Sequence, residues 1–169
     1  PATLDYVKAG AKVKVTDEAG IEYPNTFGSG KWAFPSSLSS NLPLTDKPFT
    51  LEVDMPGHFT VKKTFTIGLK ENGEVKPYSK ALYYNNAPAG DVNKDHVIDI
   101  HDARYIRTYW KTNKREADIN FDGVVDEKDM QYVVNNYLMQ NPWMLDKAPK
   151  PEKKYKGKTV NDVLLEVGM

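Results

Sequence analysis

Two acidic segments of twelve residues, DVNKDHVIDIHD and DINFDGVVDEKD, begin 27 residues apart, at Asp91 and Asp118. Calcium needs about six to eight oxygen ligands, and a protein supplies them by curling an acidic loop around the ion. Both segments place carboxylate or amide oxygens where such a loop needs them and leave one backbone carbonyl to complete the set. The sequence therefore predicts two bound Ca²⁺ ions. The predicted ligands are Asp91, Asn93, Asp95, the carbonyl of Val97, Asp99 and Asp102 in the first loop, and Asp118, Asn120, Asp122, the carbonyl of Val124, Asp126 and Asp129 in the second.

Three other loop positions carry structural expectations. Position 6 of a calcium loop has a left-handed backbone, which Gly123 adopts freely and His96 adopts at a cost of about 1–2 kcal/mol, so the first site is predicted to be the weaker one. Position 12 is Asp instead of Glu in both loops, so bidentate coordination requires the following helix to lie closer. The apolar residues at position 8, Ile98 and Val125, predict that the two loops pair back to back.

The alternative to calcium is a pair of solvated acidic turns, because Asp and Asn side chains bond locally to the backbone. Two copies in register argue against that alternative. Magnesium is disfavoured, since the loops provide an oxygen cage and not a phosphate partner. Because carboxylates repel one another until an ion separates them, we expect chelation to unfold residues 91–145 while the upstream domain survives.

A helix is predicted after each loop but not before the first. Pro88 and Gly90, in the approach to the first loop, both oppose a helix. The segments HDARYIRTYW and EKDMQYVVNNYLM, by contrast, carry apolar residues at helical spacing. Their apolar faces comprise Ala103, Ile106 and Trp110 in the first, and Met130, Val133, Val134, Tyr137 and Leu138 in the second. A calcium sensor is disfavoured, because sensor EF-hands open paired helices and this module lacks one of the four.

The duplicated spacing, the Asp at position 12 and the absent first helix together resemble the dockerin modules of bacterial cellulosomes, over residues 91 to about 141. The resemblance implies a small all-α domain of paired EF-hand-like loop–helix units. It also implies calcium-dependent docking onto a cohesin module of a scaffold or cell-surface protein, by a chain that is monomeric outside the complex. The implied contacts are Ile100, His101, Arg107, Thr108 and Thr112 in the first repeat, and Glu127, Lys128, Tyr132, Asn135, Asn136 and Met139 in the second.

The two sets of implied contacts differ chemically. The first is partly apolar and contains an arginine, whereas the second has a charge pair followed by amides. One repeat is therefore expected to dominate docking, and the sequence leaves open which one. Ordinary exposed helix surface would explain the same residues. The alternative function is a purely structural calcium module in a larger secreted glycosidase or protease, with the same face covered by residues 1–86 or by the C-terminal segment.

Residues 1–86 are predicted to form an all-β domain, because short runs of alternating apolar and polar residues are separated by turn signals. The apolar positions are Ala11, Val13 and Val15, then Phe49, Leu51 and Val53, then Phe65 and Ile67. The segments TFGSGKWAF and MPGHF resemble immunoglobulin-like and transthyretin-like sandwiches of the carboxypeptidase-regulatory type, including the X modules that precede some cellulosomal dockerins. The expected fold is thus a β-sandwich followed by a small calcium-binding helical domain.

Three roles are open for that sandwich. It supports the calcium module, which is the interpretation we favour. Alternatively it binds carbohydrate, since aromatic rings stack on sugars, with Tyr23, Trp32, Phe34 and Tyr83 as candidates. A third interpretation follows pilin-type relatives of this fold, in which a lysine and an asparagine form an isopeptide bond beside a buried acid. The candidates are Lys8 or Lys12, Glu52, and Asn85 or Asn86, although surface charge explains them more simply.

Composition and organisation fit an extracellular binding module. The 169 residues are divided into the sandwich at 1–86, a linker at 87–90, the calcium module at 91–145 and a Lys- and Pro-rich segment at 146–169. Formal net charge is zero and cysteine is absent. The lysines of the last segment are mixed with prolines and lack interleaved arginines, so nucleic-acid binding is not expected. The sequence has no membrane-spanning run, so membrane insertion is not expected either. We interpret the chain as a piece of a longer secreted bacterial protein, associated with polysaccharide degradation by the resemblance.

The last residues are expected to contribute contacts but no chemistry. Trp143, Met144 and Leu145 are predicted to fold back onto the calcium module as a clasp. A short helix from Val160 to Val167, capped by Thr159, has an apolar face of Val160, Val163, Leu164 and Val167. Its docking site, the sandwich or a partner, stays open.

An enzyme is not expected. The histidines His58, His96 and His101 are not spaced as in a metalloprotease helix, and the sequence contains no nucleophile elbow or phosphate loop. Any catalysis would belong to another part of the parent protein.

Overall fold

The structure is a computed structural model that describes residues 9–27, 38–39, 41–78 and 87–169. The chain divides into two compact units. The first comprises Pro1–Asp54 and Val61–Asn86, and the second comprises Met55–Thr60 and Ala87–Met169. The MPGHF segment, which the sequence places in the upstream domain, thus belongs to the second unit.

The described part of the first unit is built from antiparallel strands. These are β1 (Lys12–Thr16), β2 (Glu22–Tyr23), β3 (Thr26–Phe27), β4 (Leu38–Ser39), β5 (Phe49–Asp54), β6 (Val61–Phe65), β7 (Gly68–Glu71) and β8 (Glu74–Pro77). Four of them form one sheet in the order β2–β1–β5–β6, and the pairs β3–β4 and β7–β8 form separate two-stranded sheets.

The inner strand β5 of the four-stranded sheet shows the alternation of buried and exposed residues that the sequence predicts. Phe49, Leu51 and Val53 are buried, and the residues between them are partly exposed, as expected when successive side chains point to opposite faces. Leu51 pairs with the fully buried Val15, and the rings of Phe49 and Phe65 lie 5.8 Å apart. The β character of this region is confirmed, whereas a two-sheet sandwich stays a prediction.

The second unit combines short strands with three helices. They are β9 (Val97–Ile98), α1 (Ile100–Thr108), α2 (Glu127–Asn135), β10 (Met139–Gln140), β11 (Lys154–Tyr155), β12 (Lys158–Thr159) and α3 (Val160–Glu166). Each helix begins with a capping box, in which an N-cap side chain and an Asp three positions later satisfy otherwise unpaired backbone N–H groups. No helix in the described ranges is long and apolar enough to cross a membrane.

Both post-loop helices end earlier than their apolar spacing suggests. The predicted segments continue to Trp110 and Met139, but α1 and α2 stop at Thr108 and Asn135. The reason is a left-handed residue at equivalent places in the two repeats, Lys111 with φ 62° and Leu138 with φ 67°. Such a residue turns the chain out of the helix.

The two loops do not pair back to back, so that expectation is wrong. Instead, β9 of the first loop pairs with β10, which follows the helix of the second repeat. In the second repeat, Val125 accepts a hydrogen bond from the N–H of Lys111 and donates one to the carbonyl of Thr112, both at 2.8 Å. Each loop is therefore paired with the segment after the other repeat's helix, because the early helix ends free those segments to extend.

The core of the second unit joins both repeats to the C-terminal segment. Ile100 is fully buried in it, so this residue is a core residue and not the surface contact that the resemblance implies. The buried cluster comprises Phe59, Ala89, Val92, Ile98, Ile100, Ala103, Ile106, Ala117, Ile119, Val125, Met130, Val133 and Val163. Four members of the expected helix faces belong to it, namely Ala103, Ile106, Met130 and Val133, and Trp110, Val134 and Tyr137 pack against it while partly buried.

Residues 55–60 pair with the non-helical segment that leads into the first loop. The N–H of Gly90 donates to the carbonyl of Gly57 at 2.7 Å, and the N–H of Phe59 donates to the carbonyl of Pro88 at 2.9 Å. A side chain at Gly90 would meet Ile98 at 2.9 Å, and its φ is 133°, so glycine is required there. Residues 87–90 are not helical, as predicted.

Candidate metal loops and docking faces

The carboxylate at position 1 of each loop accepts hydrogen bonds from two backbone N–H groups of the same loop. In the first loop (residues 91–102), Asp91 Oδ1 accepts the N–H of Asp95 at 3.1 Å and its Oδ2 accepts that of His96 at 3.2 Å. In the second loop (residues 118–129), Asp118 makes the same two bonds at 3.2 and 2.9 Å. These local bonds curl the backbone of each loop towards its first ligand.

Positions 3 and 5 repeat the same pattern. Asn93 Oδ1 accepts the N–H of Asp95 at 3.0 Å, and Asn93 Nδ2 donates to Asp95 Oδ2 at 2.9 Å. Asp95 Oδ1 in turn accepts the N–H of Val97 at 3.1 Å. The second loop has the corresponding three bonds at 3.0, 3.1 and 3.2 Å. The predicted ligands at these positions therefore occupy matching turns in both copies.

Position 12 closes each loop and also caps the helix that follows. Asp102 Oδ1 accepts the N–H of Val92 at 2.9 Å, and its Oδ2 accepts the N–H of Asp99 at 2.8 Å. Asp129 makes the same bonds at 2.7 and 2.9 Å. The ligands at positions 9 and 12 are thus the two members of a capping box, a D-x-x-D signal that the sequence analysis did not use. This box draws the helix towards the loop, as the short Asp side chain requires.

Burial sets the electrostatics of these carboxyl groups. Asp91, Asp102 and Asp129 are fully buried. Desolvation raises the pKa of Asp91 to about 7 and that of Asp102 to about 8, and it also raises the pKa of Asp129. Nearby Asp side chains raise all three further. Backbone N–H groups at all three carboxyls, and Lys94 at Asp91, lower these pKa values only in part. A bound cation would favour the ionised forms further.

The donor chemistry fits calcium. Each carboxylate oxygen that accepts one N–H retains a lone pair for a cation, and every predicted ligand is a hard oxygen donor. Across the described part of the chain, no three His, Cys, Asp or Glu side chains converge into a compact metal cluster. The predicted sets instead mix carboxylates with one amide oxygen and one backbone carbonyl, spread along a loop that backbone N–H groups hold in shape.

The left-handed backbone expected at position 6 is present in both loops. His96 has φ 74° and Gly123 has φ 92°. His96 carries an additional penalty, because its buried Nδ1 has no hydrogen-bond partner. The first loop therefore contains the backbone strain that its sequence predicts.

Two lysines distinguish the surroundings of the loops. Lys94, at position 4 of the first loop, donates through Nζ to the carbonyls of Met55 and His58 and so fastens residues 55–60 to this loop. Lys128, at position 11 of the second loop, donates to Asp122 Oδ2 at 2.7 Å. This bond lowers the pKa of Asp122 and places a positive charge beside a predicted calcium ligand.

Lys94 and the fully buried Asn141 were missed by the sequence analysis. Asn141 donates through Nδ2 to the carbonyl of Thr60 at 2.9 Å, and its N–H donates to the carbonyl of His96 at 2.8 Å. The Asn–Pro pair after the second repeat was the available signal, but it suggested only the end of a helix. Of the predicted clasp beside it, Met144 is buried and Leu145 is exposed.

The outer face of α1 is partly covered by the chain's own C-terminal segment. His101 lies 3.4 Å from a Glu152 carboxylate oxygen, and Arg107 forms an ion pair with Glu166. Arg104 stacks over the ring of Tyr155 at 3.8 Å. Two implied contacts, His101 and Arg107, are therefore already engaged within the chain, whereas Thr108 and Thr112 are exposed.

The outer face of α2 is open. Tyr132 and Met139 are each 37% exposed, and Asn136 is half-buried, with its Nδ2 bonded to the carbonyl of Ala89. The exposed implied contacts of this repeat are Glu127, Lys128, Tyr132, Asn135 and Met139. The two repeats thus present their helices differently, one towards the chain itself and one towards solvent.

The candidates in the first unit are only partly described. Tyr23 donates through its hydroxyl to Asp17 at 3.1 Å and packs against Phe49, so its ring is held within the unit. Lys12 is exposed, and Glu52 lies opposite lysines on both neighbouring strands. The remaining sugar and isopeptide candidates, Trp32, Phe34, Tyr83, Lys8, Asn85 and Asn86, lie outside the described residues.

Residues 89–139 match the family model of the dockerin type I domain. The match contains both loops, α1 and α2. Dockerin domains are non-catalytic modules that bind calcium and dock onto cohesin modules, and they are typical of extracellular or cell-surface proteins. The dockerin resemblance is thereby confirmed for this region. No curated protein matches the chain.

Proposed function

We propose that this chain is a calcium-dependent docking module that binds a cohesin on a scaffold or cell-surface protein. The observation that carries the proposal is the duplication of the loop's hydrogen bonds. The bonds made by positions 1, 3, 5 and 12 recur in the second loop with lengths that differ by at most 0.3 Å. Two such loops, each followed by a capped amphipathic helix, form the dockerin arrangement.

Two Ca²⁺ ions are part of the proposal, one in each loop. When bound, calcium would supply the positive charge that the buried carboxylates need in order to ionise. The side chains of Asp91 and Asp118 orient the loops, and those of Asp102 and Asp129 tie each loop to its helix. Binding calcium would therefore stabilise the start of both helices, from which a docking surface is built.

The partner would contact the exposed parts of the repeat helices. We assign the most weight to Lys128, Tyr132 and Asn135, because they lie on the open face of α2. Thr108 and Thr112 are the exposed candidates of the first repeat. We further propose a secreted bacterial parent protein acting on polysaccharide, in which the upstream β domain serves as an X module.

The alternative is a calcium module that only stabilises its own parent chain, a secreted glycosidase or protease. One observation favours it, which is the coverage of α1 by the C-terminal segment. The open face of α2 argues for docking in trans, since an entirely structural module would have its equivalent face covered as well. Carbohydrate binding by the first unit has less support, because Tyr23 is engaged with Asp17 and Phe49.

The test is binding of the full chain to a panel of cohesin modules by isothermal titration calorimetry, with calcium and with chelator. Binding with a dissociation constant in the micromolar range or tighter, abolished by the chelator and restored by calcium, would support docking. The Leu69→Ala variant changes an exposed residue of the first unit and is the matched surface control. Calcium binding without affinity for any cohesin would instead favour the structural alternative.

A further inference from the structure

The two repeats can be compared residue by residue, because equivalent positions are 27 apart. On the outer face of α1, the residues His101, Arg104 and Arg107 make it basic. Their equivalents on α2 are Lys128, Gln131 and Val134, so the second face retains one of the three basic side chains. That remaining lysine is already paired with Asp122.

The C-terminal segment, residues 146–169, which we call the tail, is complementary to the basic face of α1. Glu152 pairs with His101, Glu166 pairs with Arg107, and Tyr155 lies beneath Arg104. The tail thus places two acids and an aromatic ring against one imidazole and two guanidinium groups.

Backbone and core contacts fix this tail in place. The carbonyl of Glu152 accepts the N–H of Ile100 at 3.3 Å, and the N–H of Glu152 donates to Asp99 Oδ2 at 2.8 Å. Val163 of α3 is fully buried in the same cluster as Ile106. Since Asp99 is a predicted calcium ligand, the tail also contacts the first loop. Fixation by a core side chain and a ligand residue distinguishes the tail from a loosely lying terminus.

We propose that the tail is the resident occupant of the outer face of α1 and that a cohesin docks on the second repeat alone. This inference rests on the proposed function and specifies its binding mode. On α2 the accessible groups are the carboxylate of Glu127, the ammonium of Lys128, the phenol of Tyr132 and the amides of Gln131 and Asn135, and the thioether of Met139 lies just beyond the helix in β10. Because Glu127 and Lys128 carry opposite charges, such a face fits a polar, hydrogen-bonding cohesin surface, whereas the α1 face is already matched to the acids of the tail.

The experiment uses the full chain with saturating calcium and a cohesin that binds it. One pair of variants tests the faces. Asn135→Ala with Tyr132→Ala removes two exposed groups from α2, and Thr108→Ala changes the residue of α1 that is equivalent to Asn135. We expect the α2 double variant to bind roughly tenfold or more weakly and the α1 variant to bind within about twofold of the unaltered chain.

A second pair of variants tests the tail. Val163→Arg places a charge in the core and should release α3, whereas Leu165→Arg adds the same charge at a position that is 73% exposed. Glu166→Arg is a second way to loosen the tail without touching the core, because it replaces the ion pairs with Arg107 and Lys158 by repulsion. We expect hydrogen exchange to show protected amides in residues 160–167 of the unaltered chain and of Leu165→Arg. That protection should be lost in Val163→Arg and reduced in Glu166→Arg.

The affinity for cohesin then decides between the possible roles of the tail. If the partner uses only α2, releasing the tail leaves the dissociation constant within about threefold. A gain of about tenfold or more would mean that the tail competes with the partner at α1, and a similar loss would mean that the tail is part of the docking surface. Either result would overturn the inference.

The inference and the proposed function fail in different ways. Unprotected amides in residues 160–167 of the unaltered chain, or full affinity of the α2 double variant, would refute the inference while leaving docking intact. Absence of cohesin binding by the unaltered chain and by every variant would refute the proposed function. The inference that cohesin docks on the second repeat alone would then be refuted as well.

Discussion

The loops of the first and second repeats contain the same hydrogen bonds, but different parts of the chain contact the two repeats. In both loops, the carboxylate at position 1 accepts backbone N–H groups of the loop, and the carboxylate at position 12 caps the following helix. Around the first loop, the carbonyls of Met55 and His58 hold Lys94, and the backbone of Glu152 bonds to Asp99. Around the second loop, the face of the following helix is open to solvent.

This difference shows how a duplicated module can divide its tasks. The hydrogen bonds that form a calcium loop are local, so both copies keep them. The outer surface of a helix is free to change, and here one copy has become an internal interface while the other stays available. In the proposed binding mode, the first repeat holds the C-terminal segment in place and the second offers the docking surface.

Substitution at position 12 should have the largest effect in either repeat. Asp102→Ala and Asp129→Ala each remove a calcium ligand, a helix cap and the acceptor of buried N–H groups. We expect the affinity of the altered loop for calcium to fall by roughly a hundredfold or more. The calcium-free module should lose about 2–4 kcal/mol of unfolding free energy. Calcium titration and thermal unfolding followed by circular dichroism measure both effects.

Glu127→Ala is the matched control, because Glu127 is an exposed acid of the second loop that is not a predicted ligand. If either position-12 variant kept the calcium affinity and the stability of this control, the two loops would not be equivalent calcium sites.

The pH dependence should be stronger in the first repeat. The folded-state pKa values of Asp91 and Asp102, about 7 and about 8, lie above their ordinary value because of burial. The folded, calcium-free state therefore binds more protons than the unfolded state between about pH 4 and pH 8, and its stability should fall as pH rises through that window.

Calcium competes with those protons, so its affinity for the first loop should fall by roughly tenfold or more between pH 8 and pH 6. Calcium titrations of the Asp129→Ala variant, which isolates the first loop, measure this dependence. An affinity independent of pH would show that the carboxyl groups of this loop are already ionised without calcium.

Substitutions at position 6 should change the stability of the calcium-free module by a smaller amount, with opposite signs in the two loops. His96→Gly removes a left-handed non-glycine residue and a buried unpaired nitrogen, so it should stabilise the calcium-free module by about 1 kcal/mol. Gly123→Ala should destabilise it by about 1 kcal/mol through backbone strain alone, because an added Cβ meets no atom within 4 Å. Urea denaturation compares the two. Destabilisation by His96→Gly would mean that the packing of the imidazole outweighs its strain.

The smallest effect is expected at Lys128. Lys128→Met removes the cation that bonds to Asp122, so calcium should bind the second loop more tightly, by at most about fivefold, as befits an exposed ion pair. Calcium titration of this variant in the Asp102→Ala background isolates the second loop. Weaker binding would indicate that the lysine orders Asp122 for the ion.

Short-range features could be predicted from sequence because they depend on few neighbouring residues. The ligand turns, the left-handed backbone at His96 and the helix that follows each loop all arise from local side-chain-to-backbone bonds and helical spacing. The ends of the helices were missed because Lys111 and Leu138 are not residue types that mark a left-handed stop.

Long-range features could not be predicted in the same way. The pairing of β9 with β10 joins the beginning of the module to its end, and nothing in either segment specifies the partner. Lys94 and Asn141 bond to carbonyls of residues 55–60, and carbonyl groups occur at every residue. The tail's position on α1 depends on backbone bonds, a core contact and ion pairs between segments about fifty residues apart, and a single sequence does not reveal such pairings.

Counting bound calcium ions by isothermal titration calorimetry, after chelator treatment and dialysis, tests the central claim most directly. The claim is that the two matched loops are both calcium sites. We predict two ions per chain, with separable affinities because the strained His96 loop and the Lys128-bearing loop differ. Binding of no ion would contradict it. Binding of a single ion that is lost in only one of the two variants, Asp102→Ala or Asp129→Ala, would also contradict it.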